Sequence, residues 1–239
     1  TFWNLILDTS DMSVLQSIKS ILTKLRELNF FSTIYINFIT FSFDKAILFP
    51  ILIFGRVNIK NARKGKLVFD CPLKTGLLQI GKHGLGFLDK RNCCTIWNIA
   101  GILYISGKAR IGQGCCVEVG ENATMTFGRD FNVTGRSVIL CSNHITFVDG
   151  CLLSWDLLIM DKDWHSVIST VDGSILNLSK PINVGNHVWI GCRSTILKGV
   201  NISDNVIVAA NSTISRSIDK EFVAVSGNGV LREDVRWEY

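Results

Sequence analysis

Between Val184 and Ile214 an aliphatic residue recurs every six positions: Val184, Ile190, Ile196, Ile202, Val208 and Ile214. Four places after each stands a small or aliphatic residue: Val188, Ser194, Val200, Val206, Ser212 and Ile218. No α-helix has that period, and a simple alternating strand does not need it. A chain that turns a corner every six residues does. Each flat face then holds one aliphatic and one smaller residue inside, and the coils stack as a solenoid, for which a six-residue period is the signature of a parallel β-helix. Equivalent residues return after three faces, so Val184 should stack on Ile202 and Ile190 on Val208.

Upstream the same interval appears in shorter runs. Ile105, Ile111 and Val117 share one phase, Phe127, Val133, Ile139 and Ile145 a second, and Phe147, Leu153 and Ile159 a third. The phase slips by two residues between runs, which a longer strand or a bulge absorbs. Twenty-five residues separate Ile159 from Val184, one more than four repeats. Residues 161–182 lack the period and read as a loop ejected from a corner, the kind of segment in which function concentrates. After Ile218 the ladder stops. Val223 and Val225 end a strand, Gly227-Asn228-Gly229 is a turn, and Val230–Tyr239 is expected to form a short helix that blocks the open end.

The beginning of the chain follows other rules. Ser10 or Asp11 can cap a helix in which Val14, Leu15, Ile18, Ile21, Leu22, Leu25 and Leu28 line one face. Residues 30–54 are apolar, but Asp44, Lys45 and Pro50 interrupt them, and neither half is long enough to span a bilayer. Two readings stay open for residues 10–54: packing as a cap over the solenoid end or against a neighbouring subunit, or peripheral contact with a membrane surface. The pattern therefore divides the chain into an N-terminal helical and apolar extension (1–54), an all-β solenoid (55–220) with its loop, and a C-terminal cap (221–239).

Composition narrows the partners. With 239 residues, 47% of them hydrophobic, and only three prolines, the chain can bury a large core and is not disordered. The net charge of +5 favours an anionic partner, while no lysine or arginine run is dense enough for a nucleic-acid groove. Eight cysteines occur, but Cys93-Cys94 and Cys115-Cys116 are neighbours that rarely bridge, and nothing has zinc-site spacing, so small buried thiols in a reducing compartment are expected and no metal. N-x-S/T triplets at Asn122, Asn132, Asn177, Asn201 and Asn211 read as corner chemistry. No basic flank followed by an apolar run opens the chain, so no signal peptide is expected.

Residues 184–214, VGNHVWIGCRSTILKGVNISDNVIVAANSTI, resemble the hexapeptide-repeat acyltransferases, whose fold is a left-handed parallel β-helix. Residues 152–167, LLSWDLLIMDKDWHSV, resemble the active-site segment of the branch related to maltose, galactoside and bacterial-polysaccharide O-acetyltransferases. The resemblance covers roughly residues 100–235. It implies a homotrimer, acetyl-CoA in a groove between neighbouring helices and a sugar or glycan acceptor; a cytoplasmic protein is expected, with peripheral contact at the inner face of the membrane as one reading of residues 10–54. It places the general base at His165, since a weakly nucleophilic hydroxyl needs an imidazole to take its proton. Asp161 or Asp163 would orient that ring. Trp155, Asp156 and Trp164 would line the acceptor pocket, and Trp189, Cys192, Ala210, Ser215, Arg216 and Arg232 would meet CoA.

The chain departs from the family at two points. Asn211 replaces the glycine of an Ala-Gly-Ser turn, and the segment Gly227-Asn228-Gly229-Val230-Leu231 is shortened and lacks a lysine. Two other enzymatic readings compete: Cys192 as nucleophile, or a β-helix carbonic anhydrase using His144, His165 and His187, with His83 as the remaining histidine. A non-catalytic solenoid that binds glycan or partner is the third alternative.

Overall fold

The computed structural model describes residues 27–82, 84–89 and 93–238. The helix expected over residues 10–28 lies almost wholly outside them. Strands occupy three sheets, and as far as Thr213–Ile214 each takes every third strand of the chain in parallel. The first face has nine strands, from Ile51–Ile53 to the pair Val223–Ser226 and Gly229–Glu233. The second has seven, from Arg56–Lys60 to Thr213–Ile214, and the third six, from Leu67–Phe69 to Asn201–Ile202. This is the left-handed parallel β-helix that the resemblance implies.

The ladders follow the sequence. Val184 pairs with Ile202, Ile190 with Val208 and Ile196 with Ile214. All six are buried, one pair on each face, and Phe147, Leu153 and Ile159 extend the three columns onto the preceding coil, facing Val184, Ile190 and Ile196. Corners need left-handed backbone. Arg136, Asp156, Arg193 and Asn211 form one corner column with φ between 44° and 60°. Asn211 has φ +58°, a conformation that asparagine tolerates better than most residues, so the missing glycine costs the turn little. Asn132 and Asn201 lie in strands and Asn177 in the loop, so the corner reading holds for Asn211 and not for these three.

Aspartates tie the coils together. Asp149 accepts a hydrogen bond from the Arg129 amide at 2.7 Å, and Asp204 from the Asn186 amide at 2.7 Å. Each reaches back to the corner of the preceding coil, satisfying an amide that a tight turn leaves without a backbone partner.

The N-terminal end is covered. Helix α1 (Phe30–Thr40) is capped by Asn29, whose side chain accepts from the Ser32 amide. It lies on the edge strand Ile51–Ile53 and satisfies it with side chains. The buried Asn37 amide donates to the Ile51 carbonyl at 2.7 Å and accepts from its N–H, and Thr33 Oγ1 accepts from the Ile53 N–H at 3.0 Å. A free sheet edge is thereby closed by a helix. A short helix α2 (Phe43–Ala46) follows. The first strand starts at Ile51, inside the stretch assigned to the extension.

The C-terminal end corrects an expectation. Residues 229–233 form no helix: they turn back as an antiparallel strand on Val223–Ser226 through the two-residue turn Gly227-Asn228. A helix could not have satisfied the exposed edge of Val223–Ser226 through its backbone. Beyond it the chain returns along the solenoid, and Trp237 stacks on His187 at 4.3 Å and donates from Nε1 to the His187 carbonyl. No described helix is long and apolar enough to cross a membrane.

Candidate active site

The strand Leu158–Met160 belongs to the second face, and the next strand, Ile182–Val184, to the third. The corner between them is swollen into residues 161–181, one residue shorter than expected because Ile182 is already in its strand. The insertion closes at its neck, where the Lys180 N–H donates to the Asp161 carbonyl at 3.0 Å. Its distal part is a small hairpin. Ile168 bridges Ile175, and residues 170–173 make the turn between Ser169 and Ser174, with Gly173 at φ +73°.

His165 stands exposed on the near limb of this loop. One side chain organises the limb. The Asn177 amide donates to the His165 carbonyl at 2.7 Å and to Asp163 Oδ2 at 2.7 Å, while its oxygen accepts from the Val167 N–H at 2.6 Å. Lys198 comes up from the coil below. Its ammonium donates to Asp163 Oδ2 at 2.5 Å and to the Asn177 carbonyl at 3.0 Å. Hydrogen bonding to Lys198, then to Asn177, holds the Asp163 carboxyl below the ordinary carboxylate range.

The two aspartates therefore differ in what they hold. Asp161 is fully buried and accepts from the amides of Ser142, Asn143 and His144 at 2.7–2.9 Å, so it fastens the preceding coil's corner. Asp163 is committed to Lys198 and Asn177. Neither carboxylate is hydrogen-bonded to the His165 ring in this arrangement, and the oxygen of Asp163 that is engaged, Oδ2, serves Lys198 and Asn177. Sequence reasoning missed Asn177 and Lys198. Their contacts span 10 to 35 residues, and no spacing rule reveals them. The hairpin did have a signal, in Asp172-Gly173 between two aliphatic runs.

The residues expected around the acceptor do not form one cluster. Trp155 meets Phe87 edge-on at 5.6 Å, and Asp156 holds Arg136 with two hydrogen bonds at 2.8 and 2.6 Å. Trp164 is exposed on the loop. Trp189 lies on the first face, where its Nε1 donates to Ser154 Oγ at 3.1 Å and its ring tilts against Trp237.

Of the CoA candidates, Ser215 and Arg216 border an open cleft of about 520 Å³ between residues 213–220 and the hairpin 225–230. Cys192 and Ala210 lie at neighbouring corners, joined through the Asn211 N–H to the Cys192 carbonyl at 2.8 Å. Arg232 sits on the terminal strand and pairs with Ala224.

The competing chemistry finds less support. His144 bonds Thr146, His187 stacks on Trp237, and His165 is on the loop, so the three do not converge. Among the described residues no group of three His, Cys, Asp or Glu side chains is placed to hold a metal. Burial pushes the thiols of Cys115 and Cys151 up to about 12, which keeps them protonated and unreactive.

Comparison with known proteins follows the same lines. Residues 181–216 match the family model described as bacterial transferase hexapeptide (six repeats). The galactoside O-acetyltransferase of Escherichia coli (strain K12) is 28% identical over 120 residues, 48% of this chain and 59% of that protein. The polysialic acid O-acetyltransferase of Neisseria meningitidis is 31% identical over 85 residues, 36% of each chain. The chain thus spans about a third to three fifths of the length of these relatives. The crystal structure of the polysialic acid O-acetyltransferase OatWY aligns over 77% of this chain and 88% of that one, at 18% identity and a TM-score of 0.48. Residues 181–216 are bacterial transferase hexapeptide repeats, and the chain resembles the hexapeptide-repeat acetyltransferases of sugars and polysaccharides.

Proposed function

We propose that this chain is an acetyl-CoA-dependent O-acetyltransferase whose acceptor is a sugar or a surface-glycan intermediate, with His165 as general base. The observation that supports it most is the corner insertion, which presents His165 to solvent on a limb held by Asn177, Asp163 and Lys198. A base must reach an acceptor hydroxyl, and a loop held from a rigid coil is suited to that.

Bound acetyl-CoA supplies the acetyl thioester. The cleft that holds Ser215 and Arg216 has the polar lining and the cation that a CoA phosphate needs. His165 takes the proton of the acceptor hydroxyl while that oxygen attacks the thioester carbon, and returns it to the departing sulfur. No acyl-enzyme is required. Asp163 and Lys198 act at one remove, by fixing the limb.

Assembly as a homotrimer belongs to the same proposal. The hairpin leaves Val171 95% exposed, with Val167, Ile168, Ile175, Leu176 and Leu178 also open to solvent. Such a cluster on a loop tip fits burial against a second copy of the chain.

The test is His165→Ala in an assay of CoA thiol release with candidate glycan acceptors. Kcat should fall by about 10²–10⁴, with CoA affinity by calorimetry nearly intact. Near-full turnover in that variant would remove His165 from the chemistry. Light scattering of the intact chain tests the assembly, and a monomer at assay concentration would count against a shared site.

A further inference from the structure

Helix α1 has two unlike faces. Asn37, Thr33 and Ile36 are buried against the first coil. The opposite side, continued by α2 and the turn after it, presents Phe30, Phe31, Tyr35, Phe43, Ile47 and Leu48 to solvent. Phe31 is 85% exposed and Phe43 72%, which is far more than packing on the solenoid would leave. Scattered apolar residues on a surface are ordinary; six large ones on one short helical segment are not.

The charge lies beside them. Residues 43–76 hold seven cations, Lys45, Arg56, Lys60, Arg63, Lys64, Lys66 and Lys74, against Asp44 and Asp70. That surplus of five equals the net charge of the whole chain. All but Lys45 belong to the first coil, whose strands Ile51–Ile53, Arg56–Lys60 and Leu67–Phe69 are the terminal strands of their sheets. Lys74 is tied to the helical segment through its neighbour Thr75, whose hydroxyl donates to the Leu48 carbonyl. Among the described residues none of Arg56, Lys60, Arg63, Lys64 and Lys74 forms an ion pair.

We propose that the N-terminal end of the solenoid docks on an anionic lipid bilayer, with the aromatic and aliphatic side chains of α1 and α2 entering the interface and the first coil's cations meeting the headgroups. Two features together select this occupant. An apolar insert alone would suit any hydrophobic surface, and a basic ring alone any polyanion. A bilayer with anionic headgroups offers both at once, with the apolar layer beneath the charge. A second copy of the chain would set one basic ring against another. The contact is end-on. The loop with His165 leaves the solenoid at the fifth strand of the second face, so it sits about 20 Å further along at ~4.8 Å per coil and stays clear of the bilayer.

The experiment is flotation of the full chain with vesicles of phosphatidylcholine, with and without phosphatidylglycerol. Binding should require phosphatidylglycerol and weaken by at least roughly tenfold as salt screens the headgroups. Phe31→Ser with Phe43→Ser, and separately Arg63→Glu with Lys64→Glu, should each lower binding by a similar factor. These side chains are exposed, so thermal melts should match the parent. Failure to float on anionic vesicles, or variants that float as well as the parent, would overturn the proposal. So would a drop in oligomer size by light scattering for the phenylalanine pair, since a second copy would then be what covers the face.

Discussion

The coils after the loop and the coils before it are built to different gauges. After it, Thr195 pairs with Thr213 and Asn183 with Asn201, eighteen residues on. Before it, Cys116 pairs with Val138 and Val138 with Leu158, intervals of twenty-two and twenty. The interiors differ accordingly. The late coils are filled by valine and isoleucine, while the early ones enclose Trp97, Phe127, Phe131 and Phe147. Phe127 and Phe131 stack at 4.1 Å, and Phe147 tilts against Phe131 at 4.9 Å. A longer circuit encloses a wider section, and interiors pack to a fixed density. Extra residues at the corners thus demand larger side chains inside. The minimal coil can be written in aliphatic and small residues, Ser194 and Ser212 among them.

Removing an early aromatic is the sharpest way to break that comparison. Phe131→Ala should cost about 3–5 kcal/mol in denaturant unfolding, because a wide coil cannot close over the void. In a late coil Ile190→Val should cost only about 0.5–1.5 kcal/mol. Equal costs would mean that the two gauges pack alike.

The junction comes next. Lys198→Met should reduce kcat by roughly tenfold, with a smaller change in KM and with faster proteolysis of residues 161–181, because it frees Asp163 without touching the coil's interior. An unchanged proteolysis rate would show that the loop is held by other means. Acidity probes the same pair. A depressed carboxyl stabilises the fold above its unfolded value and loses that contribution as pH falls through the lower folded one. Hydrogen exchange in the loop, corrected for its intrinsic rate, should therefore hold at neutral pH and rise below the ordinary Asp value of 3.8. Asp163→Asn should remove the transition.

The smallest effect belongs to the surface pairs between early coils. Arg136→Gln breaks a bidentate contact with Asp156 that is open to solvent and screened by it, and should leave the denaturant midpoint almost unchanged. A larger loss would make such pairs part of what sets the wider gauge.

How much of this was legible follows from the same difference. In the late coils the period of the sequence is the period of the structure, so Val184, Ile202 and their neighbours could be placed by counting. In the early coils the corners vary in length, and Ile111 or Val133 could be assigned to an interior without their coil being known. His165 was singled out through motif resemblance, and the structure shows where it lies, exposed on the loop. The setting of its loop was not legible, because Asn177 and Lys198 act across a fold. Asp161 misled for a related reason. It is next to the motif in sequence but serves a corner formed some twenty residues earlier. The terminal strand was hidden by its partner: nothing in Val230–Glu233 announces a strand until the edge of Val223–Ser226 is there to receive it.

The neck of the insertion has a consequence for how such a chain can change. One backbone hydrogen bond, from Lys180 to Asp161, brings the loop's two ends together where an uninterrupted corner would have run. The coils on either side keep their register, with Ile159 still facing Ile196 across the excursion. The segment is in effect a cassette seated in a socket. A different segment with the same two ends could be exchanged there without renumbering a single rung of the ladder. What the loop presents and how stable the scaffold is can then drift at separate rates, and an engineer could graft one without repacking the other.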